Sequence, residues 1–359
     1  MNNLIPSTKC NRSISSTERK IYKNYRKIHG VRVSISFVVT FLLIRLLKLP
    51  DHSWPLITII VVMGPVSYMG NVLPRAIERI AGTLTGAVFG IIALHLEIYS
   101  LTLMLLWCGI AAFICGYLAL SKYPYAALLI GVTLAVVGSA PAGDIQTALW
   151  RSTNIIIGCF LAIVFTSIYP QRAFINWRIQ LSDFLKEFSK ISTIGMSHNL
   201  IEQPILENMQ KRTLNNVVKI RSLITPISKE TNIKKEILEE IQCVTRDILT
   251  IQKLQINAYW ASRGSRFLIL NSQTLAEMHR ATIKTLNDLS IALSMGNPSS
   301  ISIDNKRLGE ITTELHSLMH SKNFEQVKES TIYGYVWLSV QLAIQLELLS
   351  SLITKALTE

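Results

Sequence analysis

Residues 73–96 read LPRAIERIAGTLTGAVFGIIALHL. The stretch opens with Arg75, Glu78 and Arg79 and then turns apolar. On a helix, Arg75, Arg79, Gly82, Gly86 and Gly90 step by four, three, four and four residues, so all five share one face. Two cations stand at the mouth of a glycine groove. Glycine has no Cβ, so such a face admits the close approach of a second backbone or of a ligand. The stretch predicts a helix whose cationic, small-residue face lines a path for a small organic anion through a membrane.

Composition agrees with a membrane setting. Of the 359 residues, 49% are hydrophobic and only 16% charged, and the mean hydropathy is +0.34, which is too apolar for an ordinary soluble domain. The net charge of +13 is unevenly spread. Residues 1–29 hold Lys9, Arg12, Arg19, Lys20, Lys23, Arg26 and Lys27 against Glu18, whereas the part after Pro170 is nearly balanced. The excess therefore reads as topology charge and contact with acidic lipid head groups, and not as a nucleic-acid surface. The five cysteines, Cys10, Cys108, Cys115, Cys159 and Cys243, form no C-x-x-C pair and read as small hydrophobes. The first apolar run starts after Gly30, is long, and has no small-residue cleavage site behind it, so no signal peptide is expected.

Apolar runs at 31–47, 54–70, 77–96, 99–120, 123–140 and 147–169 are near the length that crosses a hydrocarbon core. Arg45 falls inside the first but close enough to its end to snorkel. Basic connections (the tail, Arg75 with Arg79, Lys122, then Arg172 with Arg178) alternate with neutral or acidic ones (48–53, Glu97, Asp144). That alternation predicts six spans with both termini in the cytoplasm. Trp54, Tyr99, Tyr123 and Tyr169 sit at run ends, where interfacial aromatics belong.

After Pro170 the pattern becomes amphipathic, with helical segments near 172–195, 203–228, 233–262, 265–295, 303–322 and 332–356. Ile233, Ile237, Ile241, Val244, Ile248, Ile251 and Leu254 mark one apolar stripe of a helical bundle. Residues 333–353 are apolar enough for a seventh span, but Gln341, Gln345 and Glu347 favour a buried bundle helix. The predicted fold is thus all-α. A basic cytoplasmic tail (1–29) precedes a six-helix transmembrane domain (30–170), and a cytoplasmic helical domain (171–359) follows.

The two halves of the membrane part look alike. Trp54-Pro55 opens the second run and Tyr123-Pro124 the fifth; Gly64 and Gly131 follow. Arg79 leads Gly82, Gly86 and Gly90, and Arg151 leads Asn154, Gly158 and Ala162 at the same spacing. Spans three and six would run in opposite directions, the plan of a 3+3 inverted repeat. Small residues spaced by four also occur in bundles without a repeat, so the spacing admits both readings.

The candidate anion path is Arg75, Arg79 and Arg151 with Gly82, Thr83, Gly86, Gly90, Asn154 and Gly158. Guanidinium is always charged and forks onto a carboxylate. Arg75 and Arg79 are expected at the cytoplasmic mouth and Arg151 at the outer one. Span-end arginines also contact lipid phosphate. Glu78 and Asp144 are candidate proton carriers, or loop charges paired with a neighbouring arginine. His29, His52 and His95 are isolated; no metal spacing, phosphate loop or nucleophile–base arrangement appears, so neither a cofactor nor an enzyme is expected.

The segments HGVRVSISFVVTFLL, Trp54-Pro55, PRAIERIAGTLTGAVFG, Tyr169-Pro170-Gln171-Arg172, KIRSLITPISKE, LQINAYWASR and IYGYVWLSVQLAIQLELLS resemble the FUSC family, named for fusaric acid resistance and grouped with aromatic acid exporters. The resemblance implies a bacterial inner-membrane protein, six spans with a cytoplasmic helical domain, and efflux of aromatic carboxylic acids. Exporters of this kind carry two membrane units and work with a periplasmic adaptor. This chain has one, so the resemblance implies a homodimer. Similar single-unit plant proteins resemble dimeric malate channels, so a passive anion channel is an alternative. A membrane-anchored scaffold or sensor acting through the helical domain is another.

Overall fold

The computed structural model describes residues 12–48, 53–64, 68–121, 123–138, 145–168, 171–298 and 330–358. These residues are helical and contain no strand; an isolated bridge pairs Tyr68 with Gln171. The chain divides into two compact units, residues 21–172 and residues 1–20 with 173–359.

The first unit follows α1 (Ser16–Lys23) and comprises α2 (Tyr25–Leu47), α3 (Ser53–Met63), α4 (Met69–Tyr99), α5 (Leu101–Ala119), α6 (Pro124–Gly138) and α7 (Ile145–Ile168). Helices α2, α4, α5 and α7 are long and apolar enough to cross a membrane. The expected second and fifth spans contain shorter helices, α3 and α6, of 11 and 15 residues. At 1.5 Å per residue α3 rises only about 16 Å, roughly half of a hydrocarbon core. Helix α2 begins within the residues assigned to the tail, and residues 97–98, expected as a loop, lie inside α4. The break falls at Ser100 instead, whose extended backbone stops α4 and whose side chain accepts a bond from the Thr102 N–H to start α5.

The helices of this unit pair in a crossed manner. Helix α4 packs chiefly on α6, and α7 chiefly on α3; α4 also packs on α7. Helices α2 and α5 lie against α3 and α6 respectively. Ile59, Val62 and Met63 of α3 form one core with Ile155, Cys159 and Ala162 of α7.

The second unit contains α8 (Ala173–Gly195), α9 (Glu207–Glu230), α10 (Lys235–Trp260), α11 (Arg263–Asn271), α12 (Gln273–Met295) and α13 (Ser330–Thr358). Helix α8 is buried along most of its length, with Trp177, Phe184 and Phe188 fully enclosed against α9 and α12. Ile237, Ile241, Val244 and Ile248 of the expected stripe are buried, while Leu254 is exposed. The segment expected over 265–295 is two helices. Gly264 does not break the chain but lies inside α11, which Ser262 caps; Ser272 then caps α12. The segment expected over 303–322 lies outside the described residues. Helix α13 is a fifth helix of span-like length and hydropathy, yet it packs on α10 and α12, and Gln255 Nε2 donates to Ser339 Oγ at 2.8 Å.

Arg178 is fully buried at the end of α12. Its Nε donates to the Leu293 carbonyl at 2.7 Å, and its Nη2 donates to the carbonyls of Ser294 and Arg12. The charge answers the last carbonyls of α12, where the helix dipole is negative. The leading segment is held further by the Ile14 N–H on the Ser294 carbonyl and by an Arg19–Asp183 ion pair. Arg178→Met removes the donor from the buried Leu293 carbonyl and is expected to cost about 3 kcal/mol. Thermal unfolding of the purified protein checks this.

Burial, and then the nearby His198, hold His279 below the ordinary histidine range. The unfolded chain therefore binds a proton here more readily than the folded one, so this contribution to stability is present above the ordinary histidine value and is lost as pH falls below it. The unfolding midpoint is expected to drop between pH 7.5 and 5.5, and to drop less in His279→Gln.

Candidate functional site

Helix α4 turns one narrow face inward. Arg79, Gly82, Thr83, Gly86 and Gly90 are buried, whereas Ile77, Leu84 and Val88 are exposed. The periodicity of four, three and four therefore describes a real face. What it meets is a second helix. A Cβ on Gly82 would stand 2.9 Å from the Ala126 carbonyl oxygen, one on Gly86 2.7 Å from the Ile130 carbonyl oxygen, and one on Gly90 2.6 Å from Val137 Cβ. All three belong to α6. On α7, a Cβ on Gly158 would stand 2.7 Å from Thr58 Cβ and 2.9 Å from Pro55 Cα of α3. The glycine faces, expected to line a path, meet neighbouring helices in the structure: Gly82 and Gly86 stand against the α6 backbone, Gly90 against the Val137 side chain and Gly158 against the α3 backbone, closer than a Cβ allows.

This close packing leaves a small cavity where α3, α4, α6 and α7 meet. Its polar walls are Arg79, Thr83, Thr133, Arg151 and Ser152, Trp54 adds an aromatic face, and aliphatic chains of α6 with Ile155 complete it. Its volume of about 20 Å³ is room for about one water. Arg79 and Arg151, expected at opposite mouths, thus line one cavity.

The two cations are held differently. Arg79 is 5% exposed, and its Nε donates to Thr58 Oγ1 at 3.3 Å. Among the described residues no carboxylate lies within 4.0 Å of the Arg79 guanidinium. Arg151, half-buried, donates through Nη1 to the Val136 carbonyl at 2.8 Å, which aims it from α7 onto α6. A buried guanidinium answered by a neutral hydroxyl costs several kcal/mol.

The remaining candidates separate. Arg75 lies with its Cζ 5.8 Å from the Tyr125 ring centroid and is not a cavity wall. Thr83 is a wall; Asn154 is fully buried but is not. Glu78 is half-buried and forms no ion pair among the described residues. Asp144 lies outside the described residues. Sequence reasoning missed Thr58, Thr133 and Ser152 and read Trp54 as an interfacial anchor. The available signal was a hydroxyl inside an otherwise apolar run, two of them on the short helices that follow Trp54-Pro55 and Tyr123-Pro124.

Residues 27–288 match the fusaric acid resistance protein family. The chain is 49% identical over 349 residues to the Escherichia coli K12 protein named inner membrane protein YeeA, covering 97% of this chain and 99% of that protein. The chain therefore belongs to the fusaric acid resistance protein family.

If Gly86 seats α6, Gly86→Leu forces the Ile130 and Thr133 backbone away and should cost about 3 kcal/mol or more, lowering the yield of monodisperse protein in detergent. Gly109→Leu, on α5 where a Cβ would meet nothing within 4 Å, should leave that yield unchanged.

Proposed function

We propose that this member of the fusaric acid resistance protein family exports small organic anions, aromatic carboxylates among them, across the bacterial inner membrane. The observation that carries the reading is Arg79, a buried cation without a described counter-ion, sharing a cavity with Arg151 and Trp54. The carboxylate would sit between the two guanidiniums, each able to donate a forked pair of bonds. Thr83, Thr133 and Ser152 would supply neutral donors, and Trp54 the face on which an aromatic ring rests. Arg75 would draw the anion in. At about 4 Å and an effective dielectric constant near 20, each charge contributes about 4 kcal/mol of attraction before desolvation is set against it.

The cavity as built admits about one water and no benzoate. Passage would require α4 and α7 to move against α6 and α3. That requirement favours an alternating carrier over a permanently open channel. The crossed pairing of α4 with α6 and α7 with α3 supports the inverted-repeat reading, in which a site lies between two interlocked halves. In this proposal the first unit forms six membrane passes, two of them built around the short α3 and α6. The second unit and both termini are cytoplasmic, and two copies of the chain, with or without a periplasmic adaptor, make the working assembly. The proton gradient would drive export, with Glu78 and Asp144 as carriers.

The test is export of radiolabelled benzoate from cells expressing the protein. Arg79→Ala should lower the rate at least tenfold, since a bond to a charged group is worth about 1.5–3 kcal/mol, with no loss of protein from the membrane. Trp54→Ala should raise the half-saturating concentration for benzoate more than that for acetate. Unchanged benzoate flux in Arg79→Ala would reject the assignment.

A further inference from the structure

The first turn of α6 carries a tyrosine that lies against two arginines of α4. Pro124 opens α6, where a missing N–H costs nothing, and Tyr125 follows it. Gly82 of α4 meets the carbonyl of the next residue, Ala126, with no space for a Cβ between them. That close seat presses the turn bearing Tyr125 onto the turn of α4 that precedes Gly82. Arg79 stands on this turn, and Arg75 stands one turn further back. The Arg75 Cζ lies 5.8 Å from the centroid of the Tyr125 ring, and the Tyr125 hydroxyl interacts with the Arg79 guanidinium.

The hydrogen-bond inventory at this point does not close. Tyr125 Oη is buried, and it stands beside Arg79 without a partner in hydrogen-bond geometry among the described residues. Arg79 uses Nε on Thr58, and its Nη1 and Nη2 make no hydrogen bond among the described residues. A guanidinium only donates, whereas a phenol donates one hydrogen and accepts through its lone pairs. The two groups therefore cannot satisfy each other. If Arg79 donates to the phenol oxygen, the phenol hydrogen and the other guanidinium hydrogens still need an acceptor. A buried donor without an acceptor is costly, and a carboxylate offers two oxygens that only accept.

We propose that the Tyr125 hydroxyl is a further anion-binding donor, giving one hydrogen bond to the carboxylate that Arg79 holds. The assignment deepens the export reading above and rests on it. Tyr125 is not a wall of the closed cavity, but Arg79 is. The hydroxyl therefore meets the anion at the Arg79 edge of the site once the cavity widens. The ring of the same side chain keeps Arg75 close through its π face. Arg75, Tyr125 and Arg79 then present successive donors along one seam between α4 and α6, which gives Arg75 a route to a cavity it does not line.

The test is benzoate binding to the purified full chain in lipid nanodiscs, measured by titration calorimetry. Tyr125→Phe keeps the ring beside Arg75 and removes the hydroxyl alone. It should raise the benzoate dissociation constant about tenfold, the loss expected for a hydrogen bond to a charged group. The unfolding midpoint of ligand-free Tyr125→Phe should not fall, because the hydroxyl has no bonded partner to lose. A dissociation constant unchanged in Tyr125→Phe but raised at least tenfold in Arg79→Ala overturns the Tyr125 assignment and leaves the arginine site standing. Benzoate binding that Arg79→Ala does not weaken, or no binding to the wild-type chain, overturns the export reading and the assignment with it. A lower midpoint in ligand-free Tyr125→Phe makes the hydroxyl a fastening of the fold and also overturns the assignment.

Discussion

A guanidinium placed inside an apolar helix bundle must have its charge answered, and the first unit is arranged around how that is done. Arg79 is nearly inaccessible, with a threonine hydroxyl as its recorded hydrogen-bond partner. The usual remedies for a buried cation are a carboxylate, a ring of carbonyls or a path to the head groups. The described residues supply no carboxylate to Arg79. Arg79 shares its cavity with a second arginine and three hydroxyls, the donor set on which the proposed anion site rests.

The glycines create the conditions for it. Because Gly82 and Gly86 bring α4 onto the α6 backbone, Gly90 receives the Val137 side chain, and Gly158 brings α7 onto α3, four helices converge with little space between them. Tight packing excludes water and lowers the local dielectric, which strengthens any charge pairing in the cavity. It also means the cavity cannot hold an organic acid at rest.

Much of this was legible in the sequence, for a physical reason: helix periodicity converts directly into a face. The spacing from Arg79 to Gly90 identified the buried side of α4, whereas Arg79 and Arg151, expected at opposite mouths, line one cavity. The nature of the partner was not legible. A face without Cβ atoms serves a ligand or a neighbouring backbone equally well, and only the position of α6 decides between them. Hydropathy also misjudged lengths, because an apolar run such as 54–70 contains a helix as short as α3. Trp54 carried two valid readings, since an aromatic at a run end can face lipid head groups or an inward cavity. In the second unit the segment expected to start at 265 starts two residues earlier, because Ser262 caps α11 directly before Gly264.

The second unit has its own polar fastening. Arg178 ties the end of α12 and the leading segment to α8, and Ser182 shares hydrogen bonds with Ser290 and Ser294. Such buried polar contacts fix one register between helices. The central claim, that Arg79 and Arg151 jointly bind a carboxylate, is tested most directly by a structure determined with 4-bromobenzoate, using the anomalous signal of bromine. The expected result is a single bromine site beside Trp54, with the carboxylate bridging the two guanidiniums in a widened cavity. Bound 4-bromobenzoate located elsewhere, with the cavity still closed around Arg79, would contradict it.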